Sequence, residues 1–196
     1  MKSVRCLTAA ACVLGFFAIG PANASEITYY SRPIVATANS SAQDYLNNWN
    51  AALTANPVAP AGYGEATISR FHNVQNQKGI PGGTNNSISE FYNIDFFIPE
   101  SVGIARWKFR FTPDFGLGGA AFLDGKAAAF NSANLDGSQV VEFTVRLKPG
   151  EHNIQLYGQE NCCDGDSDGQ FKPPGGPPLT SRDVGNFAFT DGWNLK

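Results

Sequence analysis

The segment IARWKFRFT at residues 104–112 constrains the fold more than any other part of the sequence. Apolar and aromatic residues alternate with cations along it. The first set is Ala105, Trp107, Phe109 and Phe111, and the second is Arg106, Lys108 and Arg110. A period of two places the sets on opposite faces of a β-strand. The segment therefore predicts a strand of an antiparallel sheet, with one face on a core and one face in water.

Several other segments repeat this alternation or are rich in β-branched and aromatic residues. They are residues 27–30, 66–72, 88–98, 141–147, 154–156 and 184–190. Between residues 120 and 130, AAFLDGKAAAF predicts a hairpin that turns at Asp124-Gly125, because this dipeptide adopts positive φ at low cost. Short strands joined by Gly, Pro and Asn turns predict an all-β fold, an antiparallel β-sandwich or jelly roll.

One segment has the spacing of a helix instead. Apolar residues recur at helical intervals between Ser41 and Ala55, with Ser41 as a candidate cap and Pro57 as a stop signal. The apolar positions are Tyr45, Leu46, Trp49, Ala52 and Leu53. We expect one short surface helix here.

The first 24 residues have the layout of a secretory signal peptide. The basic start MKSVR precedes an apolar run, Cys6–Gly20, and small residues at Ala22 and Ala24 suit the signal peptidase. Residues 25–196 are long enough for a single β-sandwich domain. We expect the protein to be secreted, periplasmic or at the cell surface.

Composition excludes several classes of function. The formal net charge is −3, and removal of Lys2 and Arg5 with the signal peptide makes it more negative. A mildly acidic chain without a basic block is a poor binder of nucleic acid or anionic membranes. The only long apolar run lies in the signal peptide and is shorter than a membrane span, so no transmembrane span is expected.

The run DGDSDG at residues 164–169 has two interpretations. Asp164, Asp166 and Asp168 alternate before Gly169, as in the first half of a calcium-binding loop. A glutamate at the twelfth position would complete an EF-hand, but Gly175 stands there, so a remote acid would have to complete the site. The alternative is a solvated acidic turn.

Cys162 and Cys163 directly precede this run and are the only cysteines beyond the signal peptide. They can bond to each other as a vicinal disulfide, pair with another chain, or remain free. The vicinal disulfide is the favoured interpretation, because no other cysteine of residues 25–196 could pair with them.

The sequence offers no recognisable catalytic motif. Its two histidines, His72 and His152, have no nucleophile in a known pattern, so both are interpreted as structural and no enzyme activity is expected. Phe171 and Trp193 lie in predicted loops, where their rings could stack on sugars or cap the core.

From Gly103 to about Gly165, the order of motifs resembles the protective-antigen-type β-sandwich of bacterial toxins, glycosidase accessory modules and yeast flocculin adhesins. The motifs are WKFRFTPDFG, AAFLDGK and VRLKPGEHNIQLY. In the adhesin branch, two consecutive aspartates hold calcium, which holds sugar hydroxyls. Asp114 matches the first, but Phe115 occupies the second position, so the acidic run is the preferred metal candidate. NCCDG also resembles a Cys-Cys-x-Gly motif of exported bacterial proteins.

These observations predict a functional surface at one end of the sandwich, where residues 114–119 and 159–169 meet. The predicted ligand-binding residues are Asp114, Asn161, Phe171 and Trp193, and the predicted calcium ligands are Asp164, Asp166 and Asp168. The expected function is calcium-assisted, non-enzymatic recognition of an extracellular glycan or cell-surface partner. The alternatives are a self-associating matrix or filament component and a hydrolase accessory domain.

Overall fold

The computed structural model describes residues 26–136, 139–172 and 174–175. The predicted signal peptide, the predicted strand at residues 184–190 and Trp193 lie outside the described residues. Within the described part, no helix is long and apolar enough to cross a membrane.

Eleven strands and two α-helices follow one another along the described chain. In order they are β1 Glu26–Pro33, α1 Ala42–Ala55, β2 Glu65–Ile68, α2 Asn76–Gly79, β3 Asn86–Ile98, β4 Ala105–Thr112, β5 Asp114–Phe115, β6 Gly119–Leu123, β7 Lys126–Asn131, β8 Leu135–Asp136, β9 Val141–Leu147, β10 Gly150–Cys162 and β11 Asp168–Lys172. A single 3₁₀ turn, Glu100–Val102, precedes β4.

The strands form an antiparallel β-sandwich, which confirms the predicted fold class. One sheet has the order β2-β1-β3-β10-β6-β7, and the facing sheet has the order β11-β4-β9. A two-stranded ribbon, β5-β8, lies beside them. All strand pairs are antiparallel.

The main core lies between the two sheets. Trp107, Phe109 and Phe111 of β4 are fully buried, whereas Arg106 before them is exposed and the cations between them are half-buried, which confirms the predicted alternation in residues 104–112. Large side chains from the six-stranded sheet meet this row. They include Tyr29, Tyr92, Ile94, Ile154 and Leu156. Burial of these apolar surfaces is the main force that holds the sheets together.

Helix α1 covers the other face of the six-stranded sheet. Tyr45 and Trp49 pack in a second apolar cluster that also contains Phe122 and Tyr157. The Ser41 side chain accepts a hydrogen bond from the backbone N–H of Asp44, as expected for a helix cap. The predicted helix and its cap are confirmed.

Several strands differ from the predictions, and β1 for example extends beyond the predicted residues 27–30 to Pro33. The predicted strand at residues 66–72 ends at Ile68, because the chain then bends toward α2. The short strand predicted at residues 154–156 is part of the much longer β10. Strands β5, β8 and β11 were not predicted. The hairpin of β6 and β7 turns as expected at Asp124-Gly125, both of which have positive φ.

Candidate functional site

The two segments predicted to meet at one end of the sandwich do so. The backbone N–H of Leu117 donates to the carbonyl of Gln159 at 3.0 Å, and that of Asp114 donates to the Ser167 hydroxyl at 3.0 Å. The Gly165 N–H donates to the Asp114 carboxylate. We call residues 114–118 and 159–168 together the loop end.

A buried carboxylate, that of Glu160, fixes the two segments to each other. It accepts the backbone N–H of Gly116 at 2.6 Å on one side and that of Cys162 at 2.5 Å on the other. A Cβ at Gly116 would lie 2.9 Å from this carboxylate, so a larger residue here would displace it. Burial raises the pKa of Glu160, and the neighbouring Asp114 charge adds to this effect.

Asp164 is a second buried carboxylate at the loop end. Its N–H donates to the Asn85 carbonyl at 2.9 Å, and its side chain accepts the N–H of Gln77 in α2 at 3.3 Å. Burial raises the pKa of Asp164 to about 6, with further contributions from Asp114 and Glu160. The carboxylates of Asp114, Glu160 and Asp164 are therefore close enough to repel one another when all three are ionised.

The other two aspartates of the acidic run face different partners. Asp166 is exposed and pairs with Lys78 at 2.8 Å. Asp168 begins β11 and bonds to His72 Nδ1 at 2.6 Å.

The predicted calcium ligands Asp164, Asp166 and Asp168 are consequently not brought together. The run enters β11 instead of curling around a centre. Among residues 26–136, 139–172 and 174–175, no group of three or more His, Cys, Asp and Glu side chains is placed to hold a metal ion.

Cys162 and Cys163 form a disulfide with each other, as favoured from the sequence, and the peptide bond between them is cis. The pair is exposed where β10 leaves the sheet. The side chain of Asn161, the preceding residue, is also exposed. The disulfide places an apolar, solvent-accessible surface beside the carboxylates of the loop end.

The sequence matches no protein-family profile and no curated relative. Solved structures do match. The PA14 domain of the antifreeze protein MpAFP is 10% identical, with a TM-score of 0.50, and the match covers 80% of this chain and 86% of that one. A PA14 sugar-binding domain from an RTX adhesin is 10% identical, with a TM-score of 0.50 and coverage of 83% and 96%. The fold is similar to that of PA14 domains.

A eukaryotic adhesin shows the same likeness. The A domain of epithelial adhesin 9 from Candida glabrata, solved in complex with Galβ1-3GlcNAc, is 12% identical, with a TM-score of 0.52. The match covers 87% of this chain and 90% of that one. At these identities, the comparisons show a shared PA14-like architecture.

Phe171 is not a loop residue in this PA14-like sandwich, so the prediction that its ring is free to stack on a ligand is wrong. It lies on β11, is only 8% exposed, and packs 6.3 Å from the Trp107 ring between centroids. The prediction failed because the charged residues before Phe171 concealed a strand that pairs with β4.

Residues 75–78 complete the loop end and were missed by the sequence analysis. Gln75 donates to Asp166 at 2.6 Å, and Gln77 donates to Asp164. A polar stretch such as QNQK carries no pattern that distinguishes these contacts from those of a solvated loop. Only the tertiary fold reveals them.

Both histidines bond to carboxylates. His152 is buried, with Nδ1 2.9 Å from Asp124 and Nε2 2.8 Å from the Lys148 carbonyl, and it supports the β6–β7 hairpin. His72 bonds to Asp168. Within the described ranges, neither imidazole hydrogen-bonds to a serine or cysteine that could act as a nucleophile.

Proposed function

We propose that the protein is a secreted, non-enzymatic carbohydrate-binding protein of the adhesin or lectin type, and that the loop end is its ligand site. The PA14-like architecture supports this proposal, because two of the similar structures are described as sugar-binding or were solved with a disaccharide. The likeness is one of fold, so the argument for binding rests on the chemistry of the loop end.

The observation that carries the proposal is that the segment of Asp114 is joined by hydrogen bonds to a segment with an exposed amide side chain and an exposed disulfide. The Asp114 carboxylate is partly exposed, and Glu160 and Gly165 connect its segment to Asn161 and the Cys162–Cys163 pair. Sugars offer hydroxyl groups and an apolar ring face. Carboxylate and amide groups bind the hydroxyls, and a small apolar surface can pack against the ring.

Calcium assistance is a separate part of the proposal. The described side chains do not form a complete metal site, so no binding step is assigned to an ion. In its favour, Asp114, Glu160 and Asp164 repel one another when ionised, and a divalent cation with oxygen ligands would relieve that repulsion.

Binding of the mature protein to a glycan array tests the proposal. Asp114→Asn and Asn161→Ala should each weaken binding of any retained glycan at least tenfold, about 1.4 kcal/mol. Glu151→Gln is the matched control, because Glu151 is exposed at the opposite end of β10. The ligand site is refuted if Asp114→Asn binds as tightly as the native protein, or if no glycan is retained.

Removal of calcium with a chelator tests the proposed calcium assistance separately from glycan binding. If calcium assists, EDTA should reduce glycan binding and added calcium should restore it. Unchanged binding in EDTA removes calcium from the proposal and leaves glycan recognition standing.

The filament alternative gains no support from the cysteines. In a matrix or filament component, edge strands and the cysteine pair would join the subunits, whereas here Cys162 and Cys163 bond to each other within one chain.

A further inference from the structure

The outer face of the β11-β4-β9 sheet carries a concentration of positive charge. β4 contributes Arg106 and Lys108, β9 contributes Arg146, and β11 contributes Lys172. We call these four residues the basic face. Its cations stand out because the whole chain has a formal net charge of −3.

Strand register places like charges directly opposite each other on this face. Arg106 pairs with Arg146 across β4 and β9, and Lys108 pairs with Lys172 across β4 and β11. Side chains at such positions have Cβ atoms about 5 Å apart, and like charges there destabilise a sheet. The fold thus maintains a charge arrangement that opposes its own stability.

Few carboxylates offset these cations. Glu142 bonds to Lys108 at 2.6 Å and also to the neighbouring Arg110 at 2.7 Å. Arg106, Arg146 and Lys172 form no salt bridge with another residue of the described ranges. Arg106 and Arg146 are both exposed.

The basic face also has a concave shape. A groove of about 440 Å³ runs over it. The groove is lined by Arg106, Lys108, Thr144, Lys172, Pro174 and Gly175. It is open to solvent and contains three of the four cations.

The two arginines of the basic face lie far from Asp114 of the proposed glycan site. β4 runs from Ala105 toward Asp114, and eight steps of extended chain separate Arg106 from Asp114, roughly 25 Å. Lys172 is nearer, four steps along β11 from Asp168, roughly 13 Å. A ligand held by Asp114 would not reach Arg106 and Arg146.

We infer that the basic face is a second binding surface, which takes the carboxylate or sulfate groups of a linear acidic polysaccharide. Arginine binds both groups through two parallel hydrogen bonds, and rows of cations about 7 Å apart along a strand suit a repeating chain of anions. The outward positions of the three strands, within the described chain, hold no aromatic ring. Base stacking, which single-stranded nucleic acids require, is therefore not provided.

Binding of the mature protein to four polymers at low salt tests the inference. The probes are polygalacturonate, dextran sulfate, neutral dextran and double-stranded DNA. The native protein should bind polygalacturonate, dextran sulfate or both, and should not bind neutral dextran. The two acidic polymers distinguish carboxylate from sulfate as the recognised group. Raising the salt from 50 to 200 mM should weaken binding at least about tenfold, because the contact is between exposed charges.

Arg106→Ser/Arg146→Ser should weaken binding to the acidic polymer at least tenfold. Arg106→Ser alone should also weaken binding. Its matched control, Arg70→Ser, removes one charge from an exposed position beyond β2 and should bind as the native protein does. The melting temperature of the first variant should not fall, since a like-charge pair is removed. If it does not fold, Lys172→Ser provides the same comparison, with a smaller loss.

Four results would overturn the inference: equal losses in Arg106→Ser and Arg70→Ser, equal binding of neutral dextran, tighter binding of DNA than of either acidic polymer, or salt-sensitive self-association that Arg106→Ser/Arg146→Ser abolishes. Self-association of this kind would mean that a second copy of the chain, and not a polysaccharide, binds the basic face. Asp114→Asn should leave binding of the acidic polymer unchanged, so this result is independent of the glycan-array result.

Discussion

Two facing glycines make room for the ring that anchors the loop end. Gly158 of β10 is paired with Gly119 of β6, and the Phe115 ring packs against both. Phe115 is 1% exposed and also contacts the Tyr92 ring, at 6.3 Å between centroids. A Cβ added at Gly158 would overlap three atoms of the Phe115 ring. Gly158→Ala therefore requires the ring to move.

The cost of Gly158→Ala follows from how far the ring is displaced. Overpacking a core costs about 1–3 kcal/mol when neighbours can adjust, and loss of a buried Phe side chain costs about 3–5 kcal/mol. Because the overlap is with the ring itself, we expect about 3–4 kcal/mol less free energy of unfolding, measured by urea denaturation. Gly79→Ala is the control, because its Cβ would meet Tyr29 at an ordinary 3.5 Å, and it should change stability by less than about 0.5 kcal/mol.

A double-mutant cycle identifies the cause. Phe115→Ala alone should cost about 3–5 kcal/mol. Combined with Gly158→Ala, the total should be at least about 2 kcal/mol smaller than the sum, because the new methyl group enters the space that the ring has left. Additive effects, or a cost below about 1 kcal/mol for Gly158→Ala, would refute the packing described here.

Other predictions concern charge, the core and the cysteine pair. Because its pKa is raised from 3.8 to about 6, Asp164 binds protons on folding, so the free energy of unfolding should fall by about 1–2 kcal/mol as pH rises from about 4 to about 7. Urea melts of Asp164→Asn should lack this part of the slope. Trp107→Ala should cost about 3–5 kcal/mol and Lys108→Ala less than about 1 kcal/mol; equal costs would contradict the assigned faces. Thiol titration of the denatured mature chain should detect Cys162 and Cys163 only after reduction.

Local patterns were sufficient to predict the elements whose own residues determine their environment. The alternation around Trp107 depends only on the period of a strand, and the helix after Ser41 depends on a cap and a repeat within one segment. The Asp124-Gly125 turn similarly needs only the two residues that adopt positive φ.

Features that depend on pairing between distant segments were not predictable in this way. Phe171 is buried because β11 pairs with β4, about 60 residues earlier in the chain. The charged residues before Phe171 are not typical of a strand, so the sequence does not predict this pairing. The basic face has the same origin. The alternation in β4 and β9 predicts that their cations face outward. The sequence does not predict which of them are neighbours, because only the strand register places Arg106 opposite Arg146. The divergence of the three aspartates likewise depends on contacts with residues 72–78.

The position of β10 in the sheet has a consequence for the order in which the protein folds. β10 lies between β3 and β6 in the six-stranded sheet. The group β2-β1-β3 and the hairpin β6-β7 therefore join into one sheet only through residues 150–162. Pairing over such sequence distances is slow, because loop-closure entropy must be overcome before the contacts form. During synthesis, β3 can pair with β1 at once, but its second partner, β10, follows only about 60 residues later. The strand that completes the sheet also ends at the cysteine pair, so the loop end forms only when the fold is nearly complete.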